Sequence, residues 1–380
     1  MSAAATDASS APLRILIALP GLHAVQRGAE VVFENLADEI AKIPGYQVTL
    51  VGSGQPDASR GYAFKHVGCV SRERFLRFPR VPLLRSEYAY EELTFAAAMA
   101  ATPGLSDFDV TVTCGYPFAS WMLRAKGLRH GAKHIYVTEN GDWAPRRENS
   151  EYKLFHADGL ICTNVEYQER HAERWRSALI PNGVNTARFG PGEPSSTPLY
   201  SVPDGLPVVL IVAALIESKR VVPGIEALAG QDDIAVVVAG NGPLADEVER
   251  AGRAAFGERF DHIVLGPDQM PDLYRSADVL LHMSKVEPFG NIYIEALASG
   301  LPVVAHDTPN TRWITGGHAS LVDTEDPGAV VSAVRGCLEA DAPEAPGARS
   351  RYAGERFDWA VVARQYCDYF DRVCGRPARG

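Results

Sequence analysis

The sequence VLLHMSKVEPFGNIYIEALASGLPVVA, residues 279–305, contains an apolar run, a turn with a glycine, a helical segment and a second apolar run. The runs at 279–283 and 302–305 show little polar alternation, which is typical of parallel strands covered on both faces. A strand, a helix and a strand in this order predict one unit of a parallel α/β sheet.

The same alternation extends along the chain in two series of buried runs, with helical patterns such as 30–43 and 244–255 between them. The predicted strands are 14–19, 48–51, 110–113, 134–138 and 159–162 in the first series, and 208–213, 234–239, 279–283, 302–305 and 320–322 in the second. We therefore predict the α/β class, with two Rossmann-like doubly wound domains that face each other across an interdomain cleft.

A segment dense in Pro and Gly, residues 190–198, separates the two series and predicts a linker. The expected organisation is a disordered tail at 1–12, a first domain at 13–190, a linker at 191–206, a second domain at 207–355 and a C-terminal helix at 356–380.

Composition excludes several classes of protein. The 380 residues are 46% hydrophobic and 22% charged, which argues against global disorder. The net charge of -10 argues against nucleic acid as a main partner. The six cysteines are scattered, so neither a zinc site nor a disulfide framework is expected. No signal peptide and no apolar run of ~20 residues is recognisable, so we expect a cytoplasmic protein with at most peripheral membrane contact.

The turn in the opening stretch has the features of a ligand site. Gly290 allows the backbone to turn tightly, and Asn291 is expected to be the N-cap of the helix that follows. The free amides of a helix start attract anions. Glu287 and Glu295 flank this turn, and carboxylates beside an anion site are suited to hydrogen-bonding sugar hydroxyls.

The spacing of these two glutamates resembles the signature of retaining GT-B glycosyltransferases, in particular glycosyltransferase family 4. Three further segments resemble that family: IPNGVNTARF at 180–189, AGNGP at 239–243 and DLYRSAD at 272–278. The resemblance implies transfer of a sugar from a nucleotide-diphosphate donor to an acceptor hydroxyl, with retention of anomeric configuration. It also implies a small-molecule, lipid or glycan acceptor.

The resemblance assigns roles to residues of the second domain. Glu295 would hold the donor ribose, and Glu287, as a catalytic residue, would contact the donor sugar. Lys219 would contact the donor diphosphate and is the second expected catalytic residue. The backbone amides around three residues of the turn would hold phosphate or sugar oxygens: Phe289, Gly290 and Asn291. The final helix would cross back to the first domain.

The chain departs from the family pattern at two positions, and both departures change the charge expected near the donor. Ala214 lies where the family usually has an arginine that balances the diphosphate charge. Arg220, next to Lys219 in the sequence, is a second cation in this loop, and we expect it on the donor side. Arg27 replaces the first of two glycines after the first strand, while Gly28 keeps the second; both are expected near the donor. We hypothesise that Arg27 replaces the charge missing at Ala214.

Polar residues follow the predicted strand at 134–138. The family often has a histidine here near the donor sugar, and Asn140 is the best match for it, as a third catalytic residue. Glu139 and Asp142 are expected on the acceptor or sugar side. Each of the three could equally make a turn or a helix cap.

The sequence also contains one pattern that binds metal in other proteins. Asp107 and Asp109 form an Asp-x-Asp sequence, but we expect them to end the preceding helix, and we expect no metal and no cofactor.

Residues 72–85 contain five arginines among apolar residues and two prolines. The prolines favour an acceptor-facing loop over a lipid-binding helix, and a solvated loop is the third possibility.

Two alternative functions remain open at the level of sequence. One is a nucleotide-sugar epimerase built on the same fold. The other is a degenerate GT-B protein that binds nucleotide or a partner without transfer, because the family's arginine, glycine and histidine are missing. The presence of Glu287, Glu295 and Lys219 favours the transferase.

Overall fold

The computed structural model describes residues 11–82, 84–127, 131–141, 157–193, 195–340 and 344–377. The chain divides into two compact units. The first comprises Met1–Asn182 and Trp359–Gly380, and the second comprises Gly183–Asp358.

The first unit is built on a parallel sheet in the order β3-β2-β1-β4-β5-β6-β7, counted over the described residues. Its core is formed by apolar strand residues and by the inner faces of the helices, which explains the strongly apolar runs in the sequence. Its elements are β1 (Leu13–Ala18), α1 (Gly28–Ala41), β2 (Tyr46–Gly52), β3 (Ala63–His66), α2 (Glu87–Ala101), β4 (Val110–Thr113), α3 (Pro117–Gly127), β5 (Lys133–Val137), β6 (Gly159–Cys162), α4 (Val165–His171) and β7 (Ser177–Leu179).

The second unit has a parallel sheet in the order β10-β9-β8-β11-β12-β13, again over the described residues. Two apolar clusters cover its faces. Its elements are α5 (Thr186–Phe189), β8 (Val208–Val212), α6 (Val221–Leu228), β9 (Ala235–Ala239), α7 (Ala245–Phe256), β10 (Phe260–Ile263), α8 (Met270–Arg275), β11 (Val279–His282), α9 (Asn291–Ala298), β12 (Val303–His306), α10 (Pro309–Thr315), β13 (Ser320–Val322), α11 (Pro327–Ala340) and α12 (Ala345–Phe357).

The predicted α/β class with two doubly wound parallel sheets is confirmed. Three strands were missed: Ala63–His66, Ser177–Leu179 and Phe260–Ile263. Each lies at an edge of its sheet and keeps most of its side chains partly exposed. They lack the continuous apolar run by which the central strands were recognised.

The C-terminal helix, α13 (Trp359–Cys374), belongs to the first unit. Its buried face includes Tyr366 and Phe370, which are part of the apolar core under β1, β2 and β4. The Tyr369 hydroxyl accepts a hydrogen bond from the backbone N–H of Leu160 at 2.8 Å, which fixes the helix against β6. The C-terminal helix therefore helps to close the core of the first unit.

The compact units divide at residues 182 and 358, whereas the boundaries predicted from the sequence are at 190 and 355. The difference follows from packing, because Val184 and Phe189 belong to the core of the second unit and Trp359 to that of the first. The expected linker at 191–206 carries Leu199, which packs against the second unit together with Tyr200, Val202 and Leu206.

Replacing Phe370 tests whether the C-terminal helix stabilises the first unit. Phe370→Ala removes a fully buried ring and leaves a cavity, so we expect the free energy of unfolding to fall by about 3–5 kcal/mol. Urea denaturation followed by circular dichroism measures this loss. Arg364→Ala, on the exposed face of the same helix, is the control and is expected to change little. Equal stabilities for the two variants would show that the helix does not support the core.

Candidate active site

The loop between β11 and α9 forms the centre of the candidate site. Gly290 is the N-cap of α9 with φ of 102°, and Asn291 is the first residue of the helix. The prediction that Asn291 is the N-cap is therefore wrong by one residue. A Cβ on Gly290 would lie 2.5 Å from the ring of Tyr293, so only glycine fits. The turn brings the first amides of α9 beside the end of β11.

Glu287 lies in this loop and is held by two basic side chains. Its Oε1 accepts a hydrogen bond from His282 Nε2 at 2.8 Å and forms an ion pair with Lys219 Nζ. Burial of the carboxylate opposes its ionisation, but His282 and Lys219 outweigh that effect and lower its pKa to about 2. Glu287 is therefore a fixed anion over the whole physiological pH range.

His282 was missed by the sequence analysis. It is the last residue of β11 and is only 2% exposed, and its ring meets that of Tyr293 edge-on with centroids 5.4 Å apart. In the sequence it stands inside an apolar run, where a histidine is more often a satisfied core residue. Its one recognisable signal is its position five residues before Glu287, at the carboxyl end of a strand.

Lys219 and Arg220 follow β8 but face different partners. Lys219 ends a short 3-10 turn and reaches Glu287. Arg220 has φ of 54°, a left-handed conformation that redirects the chain. Its guanidinium donates to the carbonyl of Thr324 at 3.3 Å and lies 3.9 Å from the Glu325 carboxylate. Lys219 is thus the cation that directly contacts Glu287.

The AGNGP segment supports the loop that carries Lys219. Gly240 has φ of 155°, and a Cβ there would lie 1.8 Å from the carbonyl oxygen of Ala213. The backbone N–H of Leu215 donates to the carbonyl of Asn241 at 2.9 Å. The turn after β9 therefore packs directly against the backbone around Ala214, where the family's arginine is absent.

Glu295 lies on the second turn of α9. The Tyr274 hydroxyl donates to its Oε2 at 2.8 Å, and burial raises the pKa of Glu295 above its usual value, although the Tyr274 hydrogen bond opposes the shift. The Phe289 side chain is buried against Trp313 and Phe357. Phe289 can therefore serve a ligand only through its backbone.

In the first unit, Arg27 lies among three carboxylates. Its guanidinium is 3.4 Å from Glu91, 3.6 Å from Glu73 and 3.7 Å from Glu30. Gly28 is the first residue of α1, and a Cβ there would meet no described atom within 4 Å. The positive charge of Arg27 is thus balanced by its own neighbours in this structure.

The residues after β5 make local contacts. Asn182 Nδ2 donates to Glu139 Oε1 at 2.8 Å, and burial raises the pKa of Glu139 to about 7. Asn140 Nδ2 donates to the carbonyl of Cys114 at 3.3 Å. Asp142 lies outside the described residues. Glu139 can therefore carry a proton near neutral pH.

The Asp-x-Asp sequence has a structural position. The preceding helix, α2, ends at Ala101, so the prediction that Asp107 and Asp109 end it is wrong. Asp109 instead accepts a hydrogen bond from the backbone N–H of Arg14 at 2.8 Å, near the start of β1. Across the described residues, no group of three or more His, Cys, Asp or Glu side chains could hold a metal ion.

Two family models match consecutive parts of the chain. The model described as Glycosyltransferase Family 4 matches residues 26–188, and that described as Glycosyl transferases group 1 matches residues 207–340. The chain belongs to glycosyltransferase family 4. Three candidate site residues lie in the match at 207–340: Lys219, Glu287 and Glu295.

The chain is similar to two curated relatives and to one solved structure. The chain is 30% identical over 225 residues to phosphatidyl-myo-inositol mannosyltransferase of Mycolicibacterium smegmatis, and the match covers 54% of this chain and 56% of the relative. It is 28% identical over 220 residues to GDP-mannose:cellobiosyl-diphosphopolyprenol alpha-mannosyltransferase of Komagataeibacter xylinus, covering 54% of each. The matched part thus spans about half the length of these relatives.

The solved structure is a glycosyltransferase from Rickettsia africae, with a TM-score of 0.72 at 16% identity over 95% of this chain and 98% of that one. At this identity the likeness shows the fold, which is GT-B. In the described part of the chain, no helix combines the length and the apolar character that a membrane span requires.

The low pKa of Glu287 makes stability depend on pH. The folded state favours the ionised carboxylate, so its contribution is present above the usual pKa of 4.5 and is lost as the pH falls toward about 2. Between pH 5 and pH 3 we expect the free energy of unfolding of the wild type to fall by roughly 1–2 kcal/mol more than that of Glu287→Gln.

Urea denaturation at several pH values measures this difference. Glu325→Gln, which replaces a half-exposed carboxylate, is the matched control and is expected to keep the wild-type slope. Parallel slopes for the wild type and Glu287→Gln would contradict the ion pair.

Proposed function

We propose that this protein transfers a sugar from a nucleotide-diphosphate donor to an acceptor hydroxyl, with retention of anomeric configuration. The observation that carries the proposal is the buried, ionised Glu287, held by Lys219 and His282 beside the first turn of α9. A fixed carboxylate, an ammonium and the backbone amides of a helix N-terminus are groups that suit a donor composed of sugar hydroxyls and phosphates.

The second unit would hold the donor. The sugar hydroxyls would donate to Glu287, the ribose hydroxyls to Glu295, and the diphosphate would lie against Lys219 and the amides at Gly290 and Asn291. Negative charge grows on the leaving diphosphate in the transition state, and fixed donors directed at that charge lower the barrier. Lys219 would then serve two anions, Glu287 in the free enzyme and the diphosphate in the complex.

The remaining assignments follow from the same proposal. Arg220 would add positive charge on the donor side. Asn140 would contact the donor sugar, and Glu139 and Asp142 the acceptor or the sugar. We propose no covalent nucleophile, because Glu287 is fixed by two basic partners as an anion that positions the sugar.

The names of the two relatives support the choice of substrate classes. One relative is named for GDP-mannose and a diphosphopolyprenol acceptor, and the other for phosphatidyl-myo-inositol. We therefore propose a nucleotide-diphosphate sugar as donor and a small-molecule, lipid or glycan acceptor hydroxyl. We further propose that a lysine and backbone amides hold the diphosphate without a divalent metal.

The proposed activity is tested first by a thermal-shift screen of UDP-, GDP- and dTDP-sugars, because ligand at 100 times its dissociation constant adds ~2.7 kcal/mol of stability. The donor found is then offered with lipid and glycan acceptors, with and without EDTA, and the anomeric configuration of the product is read by NMR. A retained α- or β-linkage formed in EDTA supports the proposal. Sugar interconversion alone would indicate an epimerase, and binding without turnover a degenerate binder.

Replacing Glu295 tests the donor site independently of the acceptor. Glu295→Ala removes a charged hydrogen-bond acceptor worth ~1.5–3 kcal/mol, so we expect the dissociation constant of the donor to rise by ~10- to 100-fold. Calorimetry with the nucleotide sugar measures this change. Glu249→Ala, at a partly exposed glutamate on α7, is the control. Unchanged donor affinity in Glu295→Ala would remove the ribose role.

Two arginines are candidates for the charge that Ala214 does not supply. We propose Arg27, and we expect Arg27→Ala to lower turnover by ~10²-fold with little change in donor affinity. Ala214→Arg should recover part of that loss, so the two changes should be non-additive. Arg220→Ala is measured in parallel. An intact turnover in Arg27→Ala with a large loss in Arg220→Ala would transfer the role to Arg220.

A further inference from the structure

The segment RFLRFPRVP, residues 74–82, joins exposed cations to exposed apolar side chains. Three arginines, Arg74, Arg77 and Arg80, alternate with Leu76, Phe78 and Val81, which are 69%, 51% and 41% exposed. The segment contains no acidic residue, in a chain whose net charge is -10. It follows β3 and precedes α2, so it leaves the first sheet at the carboxyl ends of its strands.

The segment is held in place by aromatic packing. The ring of Phe75 stacks on that of Tyr90 with centroids 5.2 Å apart, and Phe78 meets both rings edge-on at 5.0 and 5.4 Å. The Tyr90 hydroxyl donates to the carbonyl of Pro79 at 2.6 Å. Val81 and Leu84 exchange backbone hydrogen bonds at 3.1 and 3.0 Å. The apolar side chains are therefore presented outward by an anchored backbone.

The positive charge of the segment is not balanced locally. Arg74, Arg77 and Arg80 have no ion-pair partner among the described residues. The neighbouring acid, Glu73, faces Arg27 instead, at 3.6 Å. Arg72, just before the segment, differs from the other arginines because it lies 3.4 Å from the Glu91 carboxylate and over the ring of Tyr88.

We propose that the 74–82 segment binds the anionic surface of a lipid bilayer. The guanidinium groups of Arg74, Arg77 and Arg80 would lie among the lipid phosphates, while Leu76, Phe78 and Val81 would enter the interface between head groups and acyl chains. A soluble hydroxyl acceptor gives no reason to expose three large apolar side chains on one segment. The bilayer surface offers the matching charge and the matching apolar layer, so it is favoured over the acceptor-facing loop expected from the sequence.

Vesicle flotation with the full chain tests this proposal without any knowledge of donor or acceptor. We expect the protein to float with vesicles containing roughly one third phosphatidylglycerol and not with pure phosphatidylcholine vesicles. Binding should weaken as the salt concentration rises, because the Debye length falls from ~10 Å at 0.1 M to ~3 Å at 1 M. Absence of flotation with the anionic vesicles at low salt would overturn the proposal.

Two variants separate the contributions of charge and apolar contact. The triple variant Arg74→Gln/Arg77→Gln/Arg80→Gln should lower the partition coefficient by roughly 10²-fold and remove most of its salt dependence. Leu76→Ser/Val81→Ser should weaken binding while keeping the salt dependence. Circular dichroism and the donor thermal shift should match those of the wild type, because the segment is anchored by Phe75 and Tyr90.

The matched control removes the same number of positive charges elsewhere on the surface. Arg250→Gln/Arg351→Gln/Arg364→Gln replaces three exposed arginines distant in sequence from the segment, and it should leave flotation unchanged. An equal loss in the control triple would show only a general effect of net charge and would overturn the assignment to this segment. Binding that survives in both 74–82 variants would do the same.

Discussion

The burial of the Glu287 carboxylate determines how the loops at the carboxyl ends of β8 and β11 are arranged. A buried anion is strongly unfavourable unless opposite charges and hydrogen bonds surround it. Lys219 provides the opposite charge from the loop after β8, and His282 provides a hydrogen bond from the end of β11. The turn at Gly290 can then pass close to Tyr293 and start α9 beside the ion pair. Three separate segments are thereby fixed around one charge.

The cations assigned to the donor site already have carboxylate or carbonyl partners within the protein, so their number alone does not give the positive charge open to a ligand. Lys219 follows β8, and its charge is already balanced by the ion pair with Glu287. Arg220 faces Thr324 and Glu325, and Arg27 faces three glutamates in the first unit. With alanine at position 214, a donor diphosphate bound as proposed would have to compete with carboxylates for each of these cations. Under the proposed function, the energetics of donor binding would therefore depend on the exchange of ion-pair partners.

Much of the fold could be predicted from sequence, because central parallel strands are buried on both faces and appear as apolar runs. The strands at 159–162 and 320–322 were predicted with their observed bounds. Edge strands such as Ala63–His66 were missed because one face is exposed. The domain boundaries at 182 and 358 depend on which core Val184 and Trp359 enter, and a Pro- and Gly-rich composition does not encode that choice.

The candidate site was only partly predictable, for a related reason. Glu287, Glu295 and Gly290 stand in one recognisable pattern, whereas the partners of Glu287 come from other positions in the chain. His282 lies within an apolar run, and the left-handed backbone conformation of Arg220 is not evident from its residue type. The raised pKa of Glu139 depends on burial, which its neighbours in sequence do not reveal. Side-chain type could be read from the sequence, but the protonation and pairing of those side chains required the structure.

A crystal structure of the protein with its donor, or with the nucleoside diphosphate product, would show whether the groups around Glu287 form a nucleotide-sugar site. We expect the diphosphate against Lys219 and the first amides of α9, the ribose hydroxyls on Glu295 and the sugar hydroxyls on Glu287. A nucleotide bound away from these residues, with the Lys219–Glu287 pair undisturbed, would contradict this expectation.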